Sequence, residues 1–330
     1  VRSIDWVDGA IEIIDQTRLP GQLTVRRLAT VADLVTAVQE LAVRGAPALG
    51  VAGALGVALA AREHPPGPAR DRALRELAAA RPTAVNLAAG VRRAAARLPA
   101  GPAAVLAEAL AVRDEEIAAS AAIAGRGADL VTERCGPAPR LLTHCNTGGL
   151  AAVTAGTALA VVTELHRRGQ LGGVIASETR PLLQGARLTA WELGRAGVPY
   201  RVAVDGAGPF LIARGEVDAV LVGADRICAN GDVVNKIGTY PHALGAARAG
   251  VPFLVVAPES TIDLGTATGT AVPIEDRDPA EVLAYHGQPT APAGAGAANP
   301  AFDVTPHDLV TAIITDLRVI EPAGAVAGRQ

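Results

Sequence analysis

From Arg140 onward, short β-rich runs alternate with helical stretches, and this alternation restricts the architecture more than any other feature of the chain. The candidate strands are Arg140–His144, Gly173–Ser177, Tyr200–Val204, Ala219–Gly223 and Phe253–Ala257. Between them the spacing predicts helices over Gly149–Arg168, Gln184–Ala196, Phe210–Arg214 and Gly238–Ala249. Such alternation implies an α/β unit with a parallel sheet covered on both faces. Thr305 is expected to cap a last helix, Pro306–Thr315, and the Pro/Gly/Ala-rich stretch Gly287–Asn299 to form a surface loop.

The preceding part reads as mainly helical. Gly9–Asp15 alternates like a strand and ends near the Pro20-Gly21 turn. Thr30 is placed to cap a helix through Val43, and a second helix follows Pro47. Beyond a Pro-rich break at 62–68, helices are expected over Ala69–Ala80, Ala84–Leu98 with Thr83 as cap, and Ala103 to Glu133. The expected division is a mainly helical domain over 1–134 and a catalytic domain over 135–330, without internal repeats. Aromatics make up 2% of the chain, so both cores must be built from Ala, Val, Leu and Ile. The apolar run Ala46–Ala61 is shorter than the roughly 20 residues of a membrane span and is expected as a buried core helix, with no membrane partner. Arg2, Asp5, Asp8 and Glu12 argue against a signal peptide. A net charge of −3 gives no attraction to nucleic acid. The three cysteines form neither a CxxC pair nor a His-rich cluster, which argues against a metal or disulfide framework and for a reducing cytoplasm.

In an open parallel sheet, ligands bind beyond the carboxyl ends of the strands. Polar clusters stand at those ends: His144-Cys145-Asn146-Thr147-Gly148-Gly149, Glu178-Thr179-Arg180-Pro181, and Asp225-Arg226 with Asn230-Gly231-Asp232 and Asn235-Lys236. Cys145 lies between a strand and an expected helix start, where a thiolate is stabilised; the competing reading is a small buried thiol. Cys135 and Cys228 lack such surroundings and read as structural. Asp225 follows an apolar run, so its carboxyl is expected to hold a proton near neutrality; the alternative is a loop carboxylate paired with Arg226. Asp205 and Asp218 read as solvated or capping groups. Lys236 is the only lysine among thirty basic residues, either by chance or because a compact ammonium fits where a planar guanidinium does not. Arg44-Gly45-Ala46-Pro47 joins two helices and offers backbone N–H groups and a charge to an anion. Arg81 also precedes a helix, with an ordinary surface arginine as its default reading. No Gly-rich segment matches a nucleotide-binding loop in context.

These residues together resemble the 5-methylthioribose-1-phosphate isomerases. The resemblance is carried by Asp15-Gln16-Thr17-Arg18-Leu19-Pro20, Arg44-Gly45-Ala46-Pro47, Arg81-Pro82-Thr83-Ala84-Val85-Asn86-Leu87, Thr143-His144-Cys145-Asn146-Thr147-Gly148 and Glu178-Thr179-Arg180-Pro181 with Gln184-Gly185. It continues through Gly223-Ala224-Asp225-Arg226, Asn235-Lys236-Ile237-Gly238-Thr239 and Asn299-Pro300-Ala301-Phe302-Asp303-Val304-Thr305-Pro306, from near Trp6 to about Ile320. It implies a Rossmann-like domain behind a mainly helical one, a homodimer, and an aldose–ketose isomerisation of a sugar phosphate in methionine salvage, without metal or other cofactor. Cys145 would be the catalytic cysteine and Asp225 the proton donor, with substrate contacts from Arg44, Gly45, Ala46, Arg81, Gln184, Asn235 and Lys236. Ribose 1,5-bisphosphate isomerases share the fold and the cysteine–aspartate pair. Regulatory subunits of the translation-initiation exchange factor share the architecture without need of that pair. Two stretches depart from the family pattern: Tyr240-Pro241-His242, where small or apolar residues are usual, and 284–298.

Overall fold

The computed structural model describes residues 2–81, 85–285 and 287–322. Two compact units interleave along the chain: Val1–Ala122 with Asn146–Ala160, and Ile123–Cys145 with Val161–Gln330. The expected boundary at residue 134 falls inside the segment Ile123–Cys145, which the second unit takes.

The first unit opens with an antiparallel sheet of β1 (Ile4–Val7), β2 (Ala10–Ile14) and β3 (Val25–Leu28), of which the alternation in 9–15 announced only the middle strand. Helix α1 (Val31–Gln39) starts at a capping box. The Thr30 hydroxyl accepts from the Asp33 amide, and the Asp33 carboxylate accepts from the Thr30 amide. The other helices are α2 (Ala46–Glu63), α3 (Pro68–Ala79), α4 (Val85–Ala95) and α5 (Pro102–Cys135), the last beginning in the first unit and ending in the second. The expected cap Thr83 lies outside the described residues. Helix α2 is long and apolar enough to cross a membrane by length and composition, yet it is buried in the core of this unit from Pro47 to Ala60, Gly50 excepted.

Helices α2 and α4 meet through glycines. A Cβ on Gly90 would strike the Gly50 carbonyl oxygen, and one on Gly53 the Leu87 carbonyl. Backbone cannot step aside as a flexible side chain does, so Gly90→Val is expected to cost about 3 kcal/mol in urea unfolding. Gly125→Ala, on α5 with its nearest neighbour 4.0 Å away, should instead be neutral or stabilise by about 0.5–1 kcal/mol.

The second unit carries a seven-stranded sheet. Its strands are β4 (Arg140–Thr143), β5 (Gly173–Ser177), β6 (Tyr200–Ala203), β7 (Ala219–Val222), β10 (Phe253–Val256), β15 (Ala312–Ile314) and β16 (Val319–Ile320). The spatial order is β16-β15-β10-β7-β4-β5-β6, all parallel except β16. Without the edge strand β16, this is the doubly wound order in which the chain reverses direction between the two central strands, here β4 and β7. Continuous apolar runs such as Ala219–Val222 and Phe253–Val256 are fully buried, as strands covered on both faces require. The connecting helices are α6 (Ala158–Arg167), α7 (Ala190–Arg195), α8 (Gly208–Ala213) and α9 (Thr239–Ala249), with a π-helical turn over Gly185–Thr189 before α7. A second, four-stranded sheet of β8 (Arg226–Cys228), β9 (Val233–Lys236), β11 (Ile262–Asp263) and β14 (Phe302–Thr305) was not foreseen.

Two expected helices change. The helix expected from Gly149 begins only at Ala158, because 149–157 runs as turns and bends and Gly156 sits at φ +90° against the Thr147 carbonyl. Pro306–Thr315 is not a helix. A 3-10 turn at His307–Leu309 leads into β15, where Ala312, Ile313 and Ile314 are all buried. The stretch 284–298 begins with a small hairpin, β12 (Ala284–Tyr285) with β13 (Gln288–Pro289), after the short helix α10 (Ala280–Leu283).

Candidate active site

Strands β4 and β7 flank the point where the winding reverses, and each ends in one of the two residues expected to be catalytic. Cys145 lies two residues past β4, half-buried, with φ +63°. It does not precede a helix, so the expected stabilisation by a helix N-terminus is withdrawn: the nearest helix downstream starts at Ala158. Side chains of the β5–α7 connection hold its backbone instead. The Cys145 amide donates to the Thr179 hydroxyl (2.9 Å), and the Thr189 hydroxyl donates to the Cys145 carbonyl (2.6 Å). Thr179 is fixed in turn by Asp205, whose carboxylate accepts from the Thr179 and Arg180 amides (both 2.7 Å) and from the Ser177 hydroxyl. Asp205 thus acts as a cap, one of its two expected roles, while Asp218 pairs with Arg140 at 2.7 Å. Gln184 sits on the same connection, buried, with its Oε1 meeting no hydrogen-bond partner.

After β7 the chain turns into the hairpin of β8 and β9 instead of a helix. Asp225 opens this hairpin, its amide donating to the Val234 carbonyl at 3.0 Å, and Asn235-Lys236 close it. The neighbouring Arg226 pairs with Asp263 at 3.2 Å. Asn230-Gly231-Asp232 form the hairpin tip. Burial would raise the Asp232 carboxyl, but Asn230, the Gly269 amide and the side chain and amide of His307 together hold it at about 2, so this triplet serves the turn and not the chemistry.

Lys236 is 6% exposed. Burial, the largest effect, pushes its ammonium below the ordinary value; Cys145, Asp225 and Glu281 oppose that lowering and Arg277 adds to it. Glu281 and Arg277 had no recognisable signal in the sequence; they are paired with each other, and Asn299 donates to Glu281 at 3.0 Å. Burial pushes the Cys135 thiol up to about 11 and also raises Cys228, which fits their structural reading.

The turn after Lys236 is bonded at nearly every step. Thr239 Oγ1 donates to the Lys236 carbonyl (2.7 Å), and Asn235 Nδ2 donates to Thr239 Oγ1 (2.9 Å). Asp303, opposite Asn235 in the β9–β14 pairing, accepts from the Gly238 (2.8 Å) and Tyr240 (3.1 Å) amides. Burial raises the Asp303 carboxyl to about 6, although these amides oppose it. Between the unfolded value near 4 and the folded value the native state keeps a proton that the unfolded chain has released, so this group lowers stability as pH rises across that window, by about 1.4 kcal/mol per unit, and adds no further slope above it. Asp303→Asn should remove that slope when unfolding free energies of variant and parent are compared from pH 4 to 8.

Four expected contact residues lie in the first unit. Arg44 is buried, and its guanidinium donates to the side chain and carbonyl of Asn146, the residue peptide-bonded to Cys145. Gly45 caps α2 at φ +94°, where a Cβ would strike Ala151, and Ala46 begins the helix. Arg81 directly follows the last turn of α3 and is partly buried. Among the described residues no group of three His, Cys, Asp or Glu side chains is placed to hold a metal ion.

A family model described as "Initiation factor 2 subunit family" matches residues 42–322. A Nocardia farcinica protein named a probable bifunctional methylthioribose-1-phosphate isomerase/methylthioribulose-1-phosphate dehydratase is 51% identical over 98% of the chain, which spans 60% of that relative's length. A 5-deoxyribose 1-phosphate isomerase of Moorella thermoacetica is 50% identical over 98% of the chain and 95% of its own. The solved structure of 5-methylthioribose 1-phosphate isomerase from Pyrococcus horikoshii OT3 superposes with a TM-score of 0.89 at 39% identity, covering 97% of this chain and 92% of that one.

Proposed function

The chain belongs to the initiation factor 2 subunit family, and from that premise we propose that it is an aldose–ketose isomerase converting 5-methylthioribose 1-phosphate to 5-methylthioribulose 1-phosphate. The observation that carries this reading is the placement of Cys145 and Asp225 after the two central strands, with the buried Lys236 ending the hairpin that Asp225 opens. A non-enzymatic regulatory subunit has no need of that arrangement.

Phosphate on the anomeric carbon blocks simple ring opening, because the product keeps it. The ring oxygen must therefore gain a proton as its bond to C1 breaks. Hydrogen must pass from C2 to C1, and the C2 hydroxyl must lose its proton to become the ketone. Asp225, protonated, supplies the first proton. Cys145 either removes the C2 proton or stabilises charge while hydride shifts. Arg44, Arg81 and Lys236 bind the phosphate, Gly45 and Ala46 offer backbone N–H groups, and Gln184 and Asn235 orient hydroxyls. We further propose a homodimer in the cytoplasm, with no nucleic-acid partner.

The test is direct. Purified protein is given 5-methylthioribose 1-phosphate, 5-deoxyribose 1-phosphate or ribose 1,5-bisphosphate, and the ketose phosphate is quantified. The first should turn over best, and the second, also uncharged at C5, should follow. Preference for the bisphosphate, or no turnover of any, overturns the proposal. Sedimentation of the active species as a dimer checks the assembly.

A further inference from the structure

The imidazole of His144 is fully buried, and it stands immediately before Cys145 in the chain. Its Nε2 lies 2.7 Å from the carbonyl oxygen of Ile237, the residue immediately after Lys236. A carbonyl only accepts, so His144 must carry its proton on Nε2. One side chain thus ties the end of β4 that presents Cys145 to the turn that presents Lys236. Gly238 lines this contact: a Cβ there would meet the His144 ring at 2.7 Å, which leaves the ring no room on that side.

The other face of the arrangement comes from His242, within the stretch that departs from the family pattern. Its ring stands edge-on to His144 with centroids 5.0 Å apart and planes at 67°. His242 is 1% exposed, and neither of its nitrogens has a hydrogen-bond partner; His144 Nδ1 has none either. Two adjacent imidazoles in so dry a place must both be neutral, since a charge on either would be buried beside the other. Burial accordingly pushes His144 down and His242 to about 3. With Nε2 committed to the carbonyl, His144 Nδ1 is a bare lone pair.

We propose that His144 is a positioning residue: held as the neutral Nε2–H tautomer beside His242, it braces the Cys145 backbone against the Lys236 turn and so fixes the thiol and the ammonium relative to each other. The proposal rests on the isomerase reading for its kinetic consequences, but not for its structural ones.

The test uses the two amide mimics of histidine. Gln places its Nε2 donor where His144 has Nε2, whereas Asn reaches only as far as Nδ1. His144→Gln should keep kcat/KM within about tenfold of the parent, while His144→Asn should lose about 100-fold, the scale of a misplacement of about 1 Å. Only His144→Asn leaves the Ile237 carbonyl without a donor, so its Tm should fall further; activities are compared well below both melting temperatures, where a loss in a folded variant separates bracing from unfolding. The rate of Cys145 alkylation by iodoacetamide, followed by peptide mass mapping, should split the variants in the same way. Long-range 1H–15N spectra of histidine-labelled protein should show neutral imidazoles that do not titrate from pH 5 to 8, and the one lost in His144→Gln should be the Nε2–H tautomer. Equal activity and alkylation in the two variants, an Nδ1–H tautomer, or a His144 that titrates near 6 would each overturn the brace. If the parent fails to isomerise the sugar phosphate, the alkylation and tautomer readouts still decide it, so the two failures are distinguishable.

Discussion

Asp225→Asn is expected to lower kcat by about 10³-fold or more, near the upper range of general acid catalysis, while KM changes only a few-fold. The amide keeps the size and hydrogen-bonding reach of the carboxyl but has no proton to give the ring oxygen, so the loss falls on the transition state and not on binding. The backbone supports a clean test. The Asp225 amide is committed to Val234, and Arg226 is held by Asp263, so the hairpin has no reason to move when the side chain changes. Turnover within tenfold of the parent would remove Asp225 from the acid role. A rise in KM matching the fall in kcat/KM would make it a binding residue instead.

Cys145→Ser should cost about 10²- to 10⁴-fold in kcat, since a hydroxyl is a far weaker acid than a thiol and ionises little near neutrality. Serine keeps the bonds that Thr179 and Thr189 make to the backbone of this position. The two routes separate in heavy water. Deuterium at C1 of the ketose marks proton removal from C2 and return of a solvent-exchanged proton. Unlabelled C1 marks a hydride shift or a proton that never meets solvent. An active Cys145→Ser variant, within a few-fold of the parent, would reduce the thiol to packing.

The alternation from Arg140 onward was enough to read five strands of the parallel sheet: Ala219–Val222 and Phe253–Val256 are fully buried uninterrupted apolar runs, while the edge strand Tyr200–Ala203 is largely exposed. The sixth parallel strand, Ala312–Ile314, was read as helix. Three residues carry too little periodicity to be told from a helical turn, and only pairing with Phe253–Val256 decides between them. The hairpin of β8 and β9 was missed for a related reason: its strands of three and four residues are interrupted by the polar residues that matter chemically. Cys145, Asp225 and Lys236 stood out because strand ends, a lone lysine and apolar flanks are visible in one dimension. Thr189 and Asp205 did not, since their importance is a bond to a backbone or to a side chain far along the chain. The expected helix start beside Cys145 failed for want of tertiary context: the glycines that suggested a helix boundary serve a run of turns.

One ribbon begins with the carboxyl and finishes with the ammonium, folding back at Asn230-Gly231. Its vulnerability to indels is therefore uneven. A residue deleted from either arm shifts the alignment by one, turns every later side chain to the opposite face and displaces one reacting group against the other. Residues inserted at the far bend leave that alignment intact, but they displace Asp232 from the Gly269 and His307 amides, so they cost stability before chemistry. Length polymorphism among descendants of this chain should be absent from the arms.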